Sequence, residues 1–283
     1  MGSMMSADTV DMSSRVQLRG RTASQALPTE IIGGVSIATL SRIETARLMV
    51  DMALRARGSG LAPCICSSVN GQVLADLYVG RNRHRTQQLL ACTHVLSADG
   101  QPLVFASRLL GNGALRDRSA TTDLFHDVAK LAAAEGASFY MLGASEDENR
   151  SAVGNVRARY PGLRIVGRRN GYFASTDEEL LAVQEINVLR PDILWVAMGF
   201  PRELEFCHRW RQELTNVGVM KTSGGLFNFL SGAHRRAPQW MQSAGLEWAH
   251  RLYLEPRRLL VRYATTNVIA TWALLSKTRH TPQ

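Results

Sequence analysis

SFYMLGASEDENRSAVGNVRARYPG, residues 138–162, is the stretch on which the fold turns. Ser138 to Gly143 is an apolar run of strand length, and Ala144-Ser145 leads into an acidic helix start at Glu146. The spacing predicts a helix to Tyr160, stopped by Pro161-Gly162. Towards the C-terminus the same alternation recurs. Leu163 to Gly167 reads as a strand, Thr176 caps a helix through Leu189, and Pro191 to Met198 is a strand. Pro201 opens a helix, and Val217 to Met220 is the last strand.

Towards the N-terminus, Ile31 to Leu40 reads as a short strand or hairpin. Ser41 with Glu44 makes a capping box. Leu61 to Val69 is a buried strand ending at Asn70, followed by a helix with Val73, Leu74 and Leu77 on one face. Arg81 to Arg85 reads as a basic solvated turn, His94 to Ser97 as a strand ended by Asp99-Gly100, and Gln101 to Leu110 as a helix. Strands alternating with amphipathic helices predict an α/β fold, a mostly parallel Rossmann-like sheet with helices on both faces. Past Gly224 only helices are expected. Residues 29–223 are therefore assigned to the α/β domain and 224–283 to a basic helical appendage. Residues 1–28 carry no apolar run of signal-peptide type and are expected to be disordered.

The formal net charge is +9, which calls for an anionic partner. From Gly232 onward eight Lys or Arg face two Glu, beside three of the five tryptophans. Clustered cations and indoles favour a surface both anionic and apolar over nucleic acid. The best spanning candidate, Leu259 to Leu275, is broken by Arg262 and Thr265-Thr266-Asn267. Cys64, Cys66, Cys92 and Cys207 form no CxxC pair, so free thiols in a reducing compartment are expected.

An open parallel sheet binds ligands at the carboxyl ends of its strands. That selects Ser68-Val69-Asn70, Asp99-Gly100, Gly143-Ala144-Ser145, Gly199-Phe200-Pro201 and Gly224-Gly225. The order GG-x-F, RAP, EW, RL, EP, RR, RY from Gly224 resembles the C-terminal signature of the WecG/TagA/CpsF glycosyltransferases (glycosyltransferase family twenty-six). The resemblance covers roughly residues 31 to 263. It implies transfer of a hexose from a UDP-sugar to a polyprenyl-diphosphate-linked saccharide, by a peripheral protein at the cytoplasmic face of the bacterial inner membrane. No nucleic acid partner is implied.

The same resemblance assigns roles to residues. Asp99 corresponds to the proposed general base, in an inverting reaction that needs one; the alternative is a plain Asp-Gly turn. Ser68 and Asn70 match a T/S-x-N motif that holds the nucleotide-sugar, or they cap the next helix. Gly100 and Gly143 fall in the turns that approach the donor. Arg118 aligns with an arginine that would clamp the diphosphate; here Thr121 stands where the pattern has glycine. Tyr172, in Gly171-Tyr172-Phe173, would stack on uracil or lie in the core. Gly199, Pro201 and Glu203 correspond to G-x-P-K-Q-E, with Glu203 replacing glutamine in a sugar-holding position. Gly224 and Gly225 complete the donor site, and Asn228 replaces a common aspartate. Arg235, Arg236, Arg251, Arg257, Arg258 and Arg262 would meet the acceptor diphosphate and anionic lipid. Glu247, Arg251, Glu255, Arg258 and Arg262 also have the spacing of a single ion-paired helical face.

DxD, HxH and HxxxH are absent, so no metal and no cofactor are expected. A rival reading is a basic α/β nucleic-acid-binding protein, although no helix-turn-helix, RRM or zinc pattern supports it. A dinucleotide oxidoreductase would need G-x-G-x-x-G after a strand, which is missing.

Overall fold

A computed structural model describes residues 27–79 and 83–280; within them the side chain of Arg258 is left out, and the expected disorder of 1–28 falls almost wholly outside them. β1 (Thr29–Ile32) and β2 (Val35–Ala38) make an antiparallel hairpin. Gly33 and Gly34 turn it with φ of 58° and 80°, a pair that side-chain-bearing residues rarely adopt. Ser41 and Glu44 then close the expected capping box on α1 (Arg42–Arg55).

The main sheet follows. β3 (Cys64–Val69) leads to α2 (Gly71–Tyr78) and α3 (Arg83–Ala91), and β4 (Val95–Ala98) to α4 (Gln101–Leu110) and α5 (Thr121–Glu135). β5 (Ser138–Gly143), α6 (Glu146–Arg159), β6 (Arg164–Arg169), α7 (Thr176–Leu189), β7 (Ile193–Ala197), α8 (Arg202–Trp210) and β8 (Val219–Thr222) complete it. The six strands lie in the order β4-β3-β8-β7-β5-β6 and every pairing is parallel. The chain steps outward from β3 to β4, crosses to the other side for β5 and β6, and returns to fill the middle with β7 and β8.

Alternate strand residues feed two cores. Tyr140, Leu142, Leu194 and Val196 join one with Val73, Leu74 and Leu204. Phe139, Met141, Ile193 and Trp195 join the other with Met49, Phe125 and Val153. Period-two burial on both faces is what a sheet sandwiched between helices requires. Each fully buried Leu, Ile or Phe contributes about 1.5–3 kcal/mol. Trp195 anchors the second core, its ring 4.8 Å from Phe125 and 5.7 Å from Phe139. Cys66 and Cys207 are buried free thiols; desolvation pushes Cys66 up to about 12.

After β8 come α9 (Leu226–Leu230), α10 (Gln239–Ser243), α11 (Glu247–Leu254) and α12 (Pro256–Lys277). Leu226 and Phe227 belong to the second core, and Ala270 and Leu274 of α12 to the first. The end of α12 is tied to the hairpin by Gly34 N–H to the Lys277 carbonyl at 3.0 Å. Trp272 meets Tyr78 edge-on at 5.2 Å.

Several expectations are corrected. The basic turn expected at Arg81 to Arg85 is helix from Arg83; residues 81 and 82 lie outside the described residues. α7 is capped by Ser175, not Thr176. α5 has no counterpart in the sequence reading. The ion-paired face from Glu247 to Arg262 is not continuous, because Glu255, at φ −135° and ψ 59°, separates α11 from α12 ahead of Pro256.

Gly143 ends the central strand β5 at φ 138°, and a Cβ there would sit 2.2 Å from the Ala197 carbonyl oxygen. Gly143→Ala should therefore lower stability by about 2–4 kcal/mol, read by denaturant unfolding. A variant as stable as the parent would show that this close approach is not a constraint.

Candidate functional site

The carboxyl ends of β3, β4, β8, β7 and β5 converge on one edge of the sheet. Asp99 follows β4, and its own N–H donates to the Val69 carbonyl at 2.8 Å, which holds the Asp99 turn against the end of β3. Its Oδ2 accepts from the Thr121 backbone N–H at 3.1 Å and the Thr121 hydroxyl at 2.7 Å. Thr121 is the first residue of α5, so the carboxylate lies at a helix amino end, where free N–H groups favour negative charge. α5 has no side-chain cap of its own; Asp99 fills that role from another strand end.

Ser68, near the end of β3, places its hydroxyl 3.2 Å from Thr121 Oγ1, 3.2 Å from Ser97 Oγ and 2.9 Å from Lys221 Nζ. Asn70 caps α2, its Oδ1 accepting from Gln72 and Val73 N–H. Gly143, Ala144 and Ser145 form the turn into α6, where Ser145 and Glu148 make a capping box. Glu148 also takes a hydrogen bond from Asn228 on α9. Gly171 approaches Gly143 so closely that a Cβ would lie 2.9 Å from its Cα. Tyr172 projects outward at 68% exposure, while Phe173 stacks on Phe206 at 6.2 Å.

Glu203 is not an exposed sugar reader. It is buried, and its Oε2 accepts from the N–H groups of Met198 at 3.3 Å, Gly199 at 3.1 Å and Gly224 at 2.8 Å. It braces the turns after β7 and β8; desolvation pushes its carboxyl above the usual range despite those donors. Pro201, joined to Phe200 by a cis peptide, precedes α8. Gly225 precedes α9.

The appendage folds over this edge. Gly245 sits against Gln101 and Pro102, the start of the helix after Asp99-Gly100. Arg118, only 11% exposed, pairs with Glu247 and donates to Gln242 Oε1 at 2.7 Å. Arg236 pairs with Asp123 on α5 and with Glu247, and donates to the same Gln242 oxygen at 2.7 Å. Arg118 and Arg236 are thus engaged within the chain, and Glu247 pairs with them rather than with Arg251. Arg235 and Arg257 are exposed and Arg251 is half-buried. Exposed Arg262 donates to Gln72 Oε1 at 2.6 Å. Two residues escaped the sequence reading. Lys221 sits inside a fully buried strand, and Gln242 looks like ordinary surface.

Residues 30–283 match the Glycosyl transferase WecG/TagA/CpsF family. The chain belongs to this family. It is 31% identical over 173 residues to the N-acetylglucosaminyldiphosphoundecaprenol N-acetyl-beta-D-mannosaminyltransferase of Bacillus subtilis (strain 168), covering 60% of this chain and 64% of that protein. Enzymes of the same name match at 30% identity in Bacillus spizizenii (strain ATCC 23059 / NRRL B-14472 / W23) and 27% in Staphylococcus aureus (strain MRSA252). Those two matches cover 62% and 61% of this chain, and 66% of each relative. The chain therefore spans just under two thirds of the relatives it matches.

Within this WecG/TagA/CpsF protein the Arg118–Glu247–Arg236–Asp123 cluster ties appendage to sheet. Glu247→Gln should cost about 1–3 kcal/mol in unfolding free energy and speed proteolytic cutting between residues 231 and 246. Unchanged cutting would show that the cluster does not hold the appendage down.

Proposed function

We propose that the protein is an inverting, metal-independent hexosyltransferase that moves a sugar from a UDP-sugar to a polyprenyl-diphosphate-linked saccharide in bacterial surface or secreted polysaccharide synthesis. The observation that carries the reading is Asp99 at a strand end, one carboxylate oxygen bound twice by Thr121 within a family of glycosyltransferases. With Oδ2 held, Oδ1 is the oxygen that takes the acceptor proton. The acceptor oxygen then bonds to the anomeric carbon as the bond to UDP breaks and its electron pair leaves on the diphosphate.

The Gly143-Ala144 turn after β5, with Gly143 at φ 138°, lets backbone approach the donor diphosphate closely. Arg118 reaches it by exchanging the Glu247 carboxylate for phosphate. Tyr172 offers an exposed ring to the base. These side chains and dipoles supply the charge compensation that DxD enzymes draw from a cation. The relatives' names specify a lipid-diphosphate acceptor, and the cationic appendage suits one.

Among the described residues no helix is long and apolar enough to cross a membrane. Trp240, Tyr253, Leu254, Leu260 and Val261 are nonetheless exposed on the appendage, near the exposed Arg235 and Arg257. That combination supports peripheral binding by charge plus shallow insertion.

Asp99→Asn should lower turnover about 10²–10⁴-fold while leaving UDP affinity nearly intact, measured by steady-state kinetics and calorimetry. Near-normal turnover in the folded variant would return Asp99 to a turn residue. Binding to vesicles should require anionic lipid and weaken as salt rises, and joint replacement of Arg235 and Arg257 by Glu should reduce it. Vesicle binding indifferent to both salt and these substitutions would remove the membrane assignment.

A further inference from the structure

Lys221, on the central strand β8, is 1% exposed. Its Nζ donates to Ser68 Oγ at 2.9 Å and to the Thr222 carbonyl at 2.6 Å. An ammonium taken out of water costs several kcal/mol unless anions and acceptors repay it. The groups that face it are Cys66 on β3, Asp99 after β4, and Glu203 and Cys207 on α8. Both thiols are neutral, because burial pushes Cys66 up to about 12 and also raises Cys207. The acids that remain to offset the Lys221 charge are therefore Asp99 and Glu203. Burial draws the lysine below its ordinary value and these acids oppose the shift.

The hydroxyls between Lys221 and Asp99 can be ordered in one direction. Lysine has protons to give and none to take, so Ser68 Oγ accepts from it. An ionised carboxylate only accepts, so the Thr121 hydroxyl donates to Asp99 Oδ2 at 2.7 Å. The remaining contact, 3.2 Å between Ser68 Oγ and Thr121 Oγ1, runs from Ser68 to Thr121 when Ser97 gives its own proton to Ser68 or to the Ser67 carbonyl and takes none from Ser68. Ser97 Oγ, 3.2 Å from Ser68 and 3.3 Å from the Ser67 carbonyl, fits the same polarity as a donor to either. A buried cation stands at one end of an ordered relay and the proposed base at the other. Relays of this kind are polarised from the charged end.

We propose that Lys221 is a positioning residue for the transfer reaction, acting through Ser68 and Thr121 to hold the Asp99 carboxylate with one oxygen pinned and the other directed at the acceptor hydroxyl. This rests on the reading of Asp99 as the general base. Lys221 keeps its protons throughout: the acceptor proton passes to Asp99 and then to solvent, and UDP leaves with the electron pair of the broken bond. Glu203 is the other acid that acts on Lys221, and the test must separate a role towards Glu203 from one towards Asp99.

Four variants separate them: Glu203→Gln, Lys221→Met with Glu203→Gln, Thr121→Val, and Asp99→Asn. Each is measured for melting temperature, for kcat and KM with the UDP-sugar, and for kcat against pH. Glu203→Gln removes the anion that would otherwise be stranded when the lysine is lost. Relative to it, the double variant should melt at a similar temperature but turn over about 10- to 100-fold more slowly, with KM little changed. Removing a cation near a carboxylate raises the pH at which the carboxylate ionises. The acid limb of kcat should accordingly move to higher pH. Thr121→Val keeps both buried charges and breaks the relay, and should move kcat and the limb in the same direction.

A double variant with the kcat and acid limb of Glu203→Gln would overturn the proposal and leave Lys221 as a counter-charge only. Should the double variant fail to fold, Thr121→Val decides, and an unmoved limb there overturns the proposal. Full activity in Asp99→Asn would instead sink the base assignment itself. That outcome is distinct from one in which Asp99→Asn is slow while the Lys221 and Thr121 variants are normal.

Discussion

A buried acid and a buried base under the strand ends, Glu203 and Lys221, organise this edge of the molecule. Buried ions persist only where partners surround them, and the turns are arranged to provide those partners. Glu203 gathers the N–H groups of Met198, Gly199 and Gly224, which joins the ends of β7 and β8. Lys221 reaches from β8 to Ser68 on β3, and from there hydroxyls lead to Thr121 and Asp99. Four strand ends and the start of α5 are held by side chains whose alternatives would be unpaired. A site held this way is organised before its substrates arrive, the condition under which fixed dipoles and charges are most effective in catalysis.

α5 links the two halves of the proposed reaction. Its first residue, Thr121, holds Asp99, and two residues later Asp123 holds Arg236 of the appendage. Arg236 and Arg118 share Glu247 and Gln242. The contact that seats the appendage and the contact that orients the carboxylate are therefore made by the same helical turn. On α11 and α12 the aromatic and aliphatic side chains of Tyr253, Leu254, Leu260 and Val261 are exposed.

The sheet was legible because its strands are apolar runs closed by turn pairs, and SFYMLG followed by ASEDE shows a strand, its turn and a helix start within eleven residues. The strand-end rule and the family resemblance both led to Asp99, Ser68 and Gly143. α5 was not legible: its start, Ala120-Thr121, has no capping side chain, because the capping acceptor is Asp99, twenty-two positions earlier. Lys221 was invisible for a related reason. Lys221 fell just past a strand expected to end at Met220, and only the tertiary placement of Glu203, Asp99 and Ser68 makes a buried lysine tolerable there. Glu203 itself was misread as ligand-facing, since nothing local shows that its carboxylate is used by backbone amides. In the appendage, helical spacing favoured Glu247 with Arg251. Arg118, 129 positions away, takes that carboxylate instead, because tertiary docking brings a better-buried partner than the next turn of an exposed helix.

The central claim is that this edge of the sheet transfers a sugar from a UDP-sugar to a lipid-diphosphate acceptor. The most direct measurement is UDP release across a panel of UDP-sugars, with and without a polyprenyl-diphosphate-linked saccharide and in the presence of EDTA, with the product's anomeric configuration read by NMR. The account predicts UDP release that needs the acceptor, survives the chelator and yields the inverted anomer. Retention of configuration, or no acceptor-dependent release with any sugar of the panel, would contradict it.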